Sequence, residues 1–194
     1  MNLTLITDPT TIEEPLTLAE AKSFLRVEGD DENGDISALI RAAREQAELH
    51  NGREMAVKQY DLALDDFPRD ARYIDLLDPL VSVESITFKD STGAETTLTA
   101  DVDYIVDTAK HPGRVVLAHD KVWPTIAPYP SSAVKIRFTA GFVPAKVPES
   151  IKTGMKLLIT AWYEGRIPFE IGHVVGELPF AVTACFATDR LDRF

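Results

Sequence analysis

Between Val147 and Arg166 the chain reads VPESIKTGMKLLITAWYEGR, a helix pattern that lies beyond a long run of β pattern. Pro148 suits the first helical position, where its missing N–H is no loss. Ile151, Met155, Leu158 and Trp162 recur at i, i+4, i+7 and i+11, the spacing of one buried stripe, and Gly165 is placed to end it. The other strong helix patterns lie before residue 52. This helix therefore belongs to a module that begins at the far end of the chain. The order of helices, strands and a closing helix implies an α+β fold, a small helical module interrupted by an antiparallel sheet or sandwich.

In the first part, LTLAEAKSFLRV carries Thr17 with Glu20 three positions on, a capping box for a helix near 17–26 with Leu18, Ala21 and Leu25 on one face. Glu28 to Asp35 is a polar loop, and Asp35 is the expected N-cap of a helix near 36–50. There Ile36, Leu39, Ile40, Ala43, Ala47 and His50 share a stripe that Asn51-Gly52 closes. Residues 1–15 look extended. From 57 to 143 short β-branched or aromatic segments (AVKQYDLALDDFP, YIDLLD, LVSVESITFKD, TTLTADVDYIVD, GRVVLAHD, AVKIRFTAGF) alternate with turn signals. Five to seven strands are expected, with a hairpin around Gly93 and an irregular loop at KVWPTIAPYPSS. The expected organisation is a helical part over 1–56, a β insert over 57–143, the completing helix over 144–166 and a tail over 167–194.

Hydrophobic residues at 45% and charged residues at 26% are those of a folded soluble chain. A formal net charge of −11 argues against a protein that grips nucleic acid, because that binding is driven by Lys and Arg. No apolar run is long enough to cross a bilayer, and the opening MNLTLITDPTTIEEP lacks a signal peptide's charged n-region, so assembly in the cytoplasm is expected.

A single cysteine, Cys185, leaves no internal disulfide and no cysteine-based zinc site. The sequence has no glycine-rich phosphate loop, HExxH, GxSxG or CxxC. Asp65-Asp66 and Asp30-Asp31-Glu32 are acidic enough for a divalent cation, yet such runs are ordinarily solvated. Cys185 as a nucleophile requires a base, for which His173 is nearest in sequence. A metal-dependent hydrolase reading rests on Asp65, Asp66 and His111 or His119, with no nucleophile–base spacing behind it. The expectation is a protein with no catalytic, cofactor or metal site.

The tail is unusually apolar, with Phe169, Ile171, Val174, Val175, Leu178, Phe180, Val182, Phe186 and Phe194. A short helix over 180–187 fits it, but the segment cannot bury itself alone. Either it folds back over its own helices or it docks on another chain. A β-rich binding module associated with a capsid or tail is one alternative reading of the whole.

The chain resembles the head–tail connector, or adaptor, proteins of tailed bacteriophages and phage-like gene transfer particles, in the long form with a β insert. The resembling stretches run in order from LTLAEAKSFLRVEGDDENGDISALIRAAREQAELHNGR through QYDLALDDFP, LDPLVSVESITFKDSTG, DYIVD and PGRVVL to VKIRFTAGFVPAKVPESIKTGMKLLITAWYEGR. The end, LPFAVTACFATDRLDRF, looks like the family's proline-led apolar helix followed by an arginine. The resemblance implies a structural virion protein of the head–tail neck. Its members form a ring, typically of twelve copies, with the portal above, a stopper or tail completion protein below, and DNA passing through unbound. On that basis Phe180, Val182, Phe186 and Phe194 are expected against the portal. Arg41, Arg44, Glu45 and Glu48, with Tyr163, are expected at the contacts between ring subunits. No membrane and no cofactor is implied.

Overall fold

The computed structural model describes residues 2–125, 129–165, 179–188 and 190–191. The chain divides into a β unit, Met1–Ile12 with Val57–Gly141, and a helical unit, Glu13–Ala56 with Phe142–Phe194. The fold is α+β, as the element order implies.

The helical unit holds α1 (Leu18–Leu25), α2 (Asn33–Asn51), α3 (Glu149–Gly165) and α4 (Phe180–Ala187). The capping box at α1 is formed. The Thr17 N–H donates to Glu20 Oε2 at 2.8 Å, and Thr17 Oγ1 accepts from the Glu20 N–H at 3.2 Å. Asp35 is not the cap of α2, because that helix starts two residues earlier, at Asn33. The Lys22 ammonium holds the preceding loop, donating to Asp30 Oδ1 at 3.1 Å and Asn33 Oδ1 at 2.9 Å. Asp35 thereby sits in the first turn, where its charge still suits the helix dipole. Gly52, at φ +68°, ends α2 in the left-handed region and donates its N–H to the Glu48 carbonyl.

The stripe read in α3 is the observed one. Ile151, Met155 and Leu158 are buried with Ile159 against Ile36, Ile40, Ala43 and Ala47 of α2, and Trp162 packs on the edge of that core.

Among the described residues the β unit has eight strands: β1 (Asn2–Leu5), β2 (Lys58–Leu64), β3 (Tyr73–Asp75), β4 (Leu80–Lys89), β5 (Glu95–Leu98), β6 (Tyr104–Asp107), β7 (Arg114–Leu117) and β8 (Val134–Ala140); the seven from β2 to β8 lie within 57–143, as expected, and β1 is added from the start of the chain. A five-stranded antiparallel sheet has the order β1-β2-β8-β4-β5, and a three-stranded one the order β3-β7-β6. Two strands go beyond the six patterned segments. Residues 2–5 leave the helical part to which the sequence order assigned them and pair with β2. TTLTADVDYIVD divides into β5 and β6, in different sheets. The chain reverses between those two at Asp101, whose φ is +62°, with the Thr99 N–H held by Asp103 Oδ2 at 2.9 Å.

The hairpin around Gly93 is present, with Phe88 opposite Thr96. β8 lies in the middle of its sheet and buries every second residue, Val134, Ile136, Phe138 and Ala140. The proline-rich loop is anchored at Trp123, whose ring stacks on Phe67 at 5.1 Å and whose Nε1–H donates to the Ala71 carbonyl at 2.9 Å.

Candidate interaction surfaces

The eight residues of α4, FAVTACFA, carry no charge. A helix apolar all round is normally covered all round, and here one side is. Val182 and Phe186 are fully buried in the core shared by α2 and α3, so they hold the helix to its own chain and do not face outward. The Phe186 ring lies 5.8 Å from that of His50 at the end of α2. It also lies directly over Gly154 of α3, where an added Cβ would stand 2.6 Å from Phe186 Cε1. Gly154 is a notch that lets α4 seat, a role invisible in the apolar stripe because glycine adds nothing to it.

Thr188 Oγ1 donates to Ser150 Oγ at 2.8 Å, and the Leu191 N–H to the Asn51 carbonyl at 3.0 Å. The other side of α4 is open: Phe180 is 88% exposed, with Ala181, Ala184 and Ala187 beside it. Of the four expected portal-facing residues, Phe180 is the one at the surface, and Phe194 lies outside the described residues.

The charged residues expected between subunits divide in a similar way. Arg44 is buried, with Nε 2.9 Å from Glu14 Oε2 and Nη1 2.7 Å from Glu48 Oε2. Burial disfavours its charge, but the carboxylates of Glu48 and Glu14 more than offset this and raise its pKa above the ordinary value. Glu48 also accepts from the Met55 N–H at 3.0 Å. This network ties the segment before α1, and the chain after α2, to α2 itself, which removes Arg44 and Glu48 from the outer face assigned to them. Tyr163 is turned inward too, its hydroxyl donating to Glu32. Arg41 and Glu45 remain exposed on α2, with Leu49 one turn further at 78% exposure.

The residues of the hydrolase reading are each held by a different neighbour. Asp65 Oδ1 accepts from the Ser132 N–H at 2.9 Å, and Asp66 pairs with Arg69 at 3.0 Å. His111 Nδ1 lies 2.6 Å from the buried Asp78, and His119 pairs with Asp120 at the surface. In the other acidic run, Asp30 is held by Lys22 and Asn33, and Glu32 by Tyr163. Cys185 is half-buried against α3, and His173 lies outside the described residues. Among the described residues no group of three or more His, Cys, Asp and Glu side chains is placed to hold a metal ion. No helix among them is long and apolar enough to cross a membrane.

No protein-family model and no curated protein matches the sequence. The fold does match solved structures. The chain superposes over its whole length on a protein of the neck of an empty gene transfer agent (GTA) particle computed with C6 symmetry, with a TM-score of 0.76, 26% identity and 97% of that chain covered. It matches equally a protein of the native GTA virion (TM-score 0.76, 25% identity) and one of the native GTA neck computed with C12 symmetry (TM-score 0.75, 25% identity), each over all of this chain and 97% of the other. The chain shares the fold of these GTA neck proteins, and that likeness supports a protein of the head–tail connector type. A structural neck protein has its chemistry in its contacts, and among the described residues the open faces of α4 and α2 are the surfaces that the helices of this chain offer.

Proposed function

We propose that this neck protein forms a ring, of twelve copies, joining the portal of a DNA-filled head to the stopper or tail completion proteins and leaving a channel for DNA. The observation that carries the reading is the match over the whole chain to neck proteins from particles solved with C6 and C12 symmetry. A cyclic assembly needs two different complementary patches on each copy. The exposed side of α4, led by Phe180, is the portal contact, and Val182 and Phe186 act behind it by fixing the helix. Arg41 and Glu45 lie at the contact between copies. With a net charge of −11 on each copy, the acidic balance opposes phosphate contacts that would slow the passage of DNA.

Native mass spectrometry of the chain alone and mixed with a portal ring tests this. Twelve copies bound to portal are expected, with weaker binding for Phe180→Ser at unchanged fold. A monomer indifferent to portal overturns the reading.

A further inference from the structure

The five-stranded sheet ends in β1 on one side and β5 on the other, and among the described residues no strand covers either edge. Edge strands in isolated proteins are normally guarded by charge, proline or a bulge. β1, Asn2–Leu5, has none of these. Its register with β2 is one-to-one, and the exposed Leu3 (40%), Leu5 (39%) and the following Ile6 (41%) lie along it. The edges of the smaller sheet differ, since β3 ends in Asp75 and β6 in an Asp107 paired to Arg114.

The hydrogen-bond alternation fixes which groups face outward. The Ile6 N–H donates to the Gln59 carbonyl at 2.8 Å, so Asn2 and Thr4 also pair with β2, and the main-chain groups of Leu3 and Leu5 point away from the sheet. On the other side the Asp90 N–H donates to the Ala94 carbonyl at 3.1 Å. Phe88–Thr96 and Ile86–Leu98 are therefore the bonded pairs, and Glu95 and Thr97 of β5 point outward.

We infer that β1 of one copy adds antiparallel to β5 of the next, running their large sheets together around the ring. Leu3 then faces Thr97 and Leu5 faces Glu95, each pair exchanging both main-chain hydrogen bonds, with Thr4 opposite Thr96 between them. The occupant is a second copy because the match uses two different edges of the same sheet. Such a head-to-tail contact has the form that cyclic symmetry demands, and closing the ring leaves no large-sheet edge uncovered.

This inference rests on the ring reading. Its test is a disulfide between Thr4→Cys and Thr96→Cys in a Cys185→Ala background, because non-bonded pairs stand at about 4.5 Å between Cα atoms, within disulfide reach. Rings are assembled, oxidised and resolved on a denaturing gel, with native mass spectrometry of the same sample. A ladder of linked chains up to the full ring is expected from the double variant, and no linkage from either single variant. Rings that form without linkage overturn the inference and leave the ring reading standing, as do dimers from Thr4→Cys alone, which mark a two-fold contact. Absence of rings with or without portal overturns both. Leu3→Pro removes an outward N–H and no bond to β2; it is expected to abolish ring closure while the circular dichroism and melting of the single copy stay near those of the parent, and rings that survive it count against the inference.

Discussion

At Gly154 two effects of opposite sign meet on one residue. Replacing a mid-helix glycine by alanine favours the helix by about 1 kcal/mol. Here the new methyl would stand 2.6 and 2.9 Å from two carbons of the Phe186 ring, which is buried and has little room to move. Overpacking of this kind costs about 1–3 kcal/mol, so Gly154→Ala is expected to lower the melting temperature despite its better helix propensity. Asp61 gives a prediction in pH. Its carboxylate accepts two hydrogen bonds from Arg137 across the β2–β8 pair, at 2.7 and 2.8 Å, and these hold its pKa below the usual carboxylate range. The unfolded chain therefore binds this proton more readily. The pair's contribution is fully present above about pH 4, the ordinary aspartate value, and is lost as pH falls through the depressed one. Asp61→Asn is expected to lower stability at neutral pH, and the difference in melting temperature from the parent should shrink as pH is lowered toward 3.

The proposed function gives α4 two roles, core packing and portal docking, and substitutions on its two sides should separate them. Phe186→Ala opens a cavity in the helical core and is expected to cost about 3–5 kcal/mol. Phe180→Ala, at an exposed position, should change stability by about 0.5 kcal/mol or less while weakening portal capture. Chemical denaturation beside portal pull-down reads both. Removing the helix outright does not isolate docking, since it strips Val182 and Phe186 from the core. What the sequence shows well are elements whose signals are local: the α3 stripe, the Thr17–Glu20 box, Gly52 after α2 and the Gly93 hairpin. It shows less where the partner is distant. β1 has the same extended pattern whether it hangs free or pairs with a strand more than fifty residues on. Arg44 looks like a surface charge until Glu14 closes on it from the segment before α1. The apolar tail leaves both folding back and docking open, because its composition does not say which side of α4 faces Gly154. The family order of motifs carries the neck assignment, and the residues that meet a partner emerge once the inward-facing ones are subtracted.

For the molecule as a whole, the sign of the salt dependence decides which contact holds the ring. Each copy carries a net charge of −11, so bringing copies together is opposed by long-range repulsion. Raising the salt from about 0.01 M to about 0.15 M shortens the screening length from about 30 Å to about 8 Å and relieves much of that repulsion. Main-chain hydrogen bonds along an uncharged strand such as β1 are little affected by the same change, whereas exposed ion pairs between copies, the contact proposed for Arg41 and Glu45, weaken, each being worth only about 0–1 kcal/mol at the outset. If strand addition is the principal contact, the ring should form at lower protein concentration as salt rises, in a titration followed by sedimentation velocity. If the ring instead dissociates with salt, ion pairs across α2 hold it and β1 does not. Duplex DNA added at the higher salt should leave the sedimentation of the ring unchanged, because Asp and Glu outnumber Lys and Arg by 31 to 20 on each copy and the net negative charge opposes the phosphates. On the proposed reading both properties serve a neck through which DNA runs: copies that cohere through the backbone, and a surface that DNA does not hold.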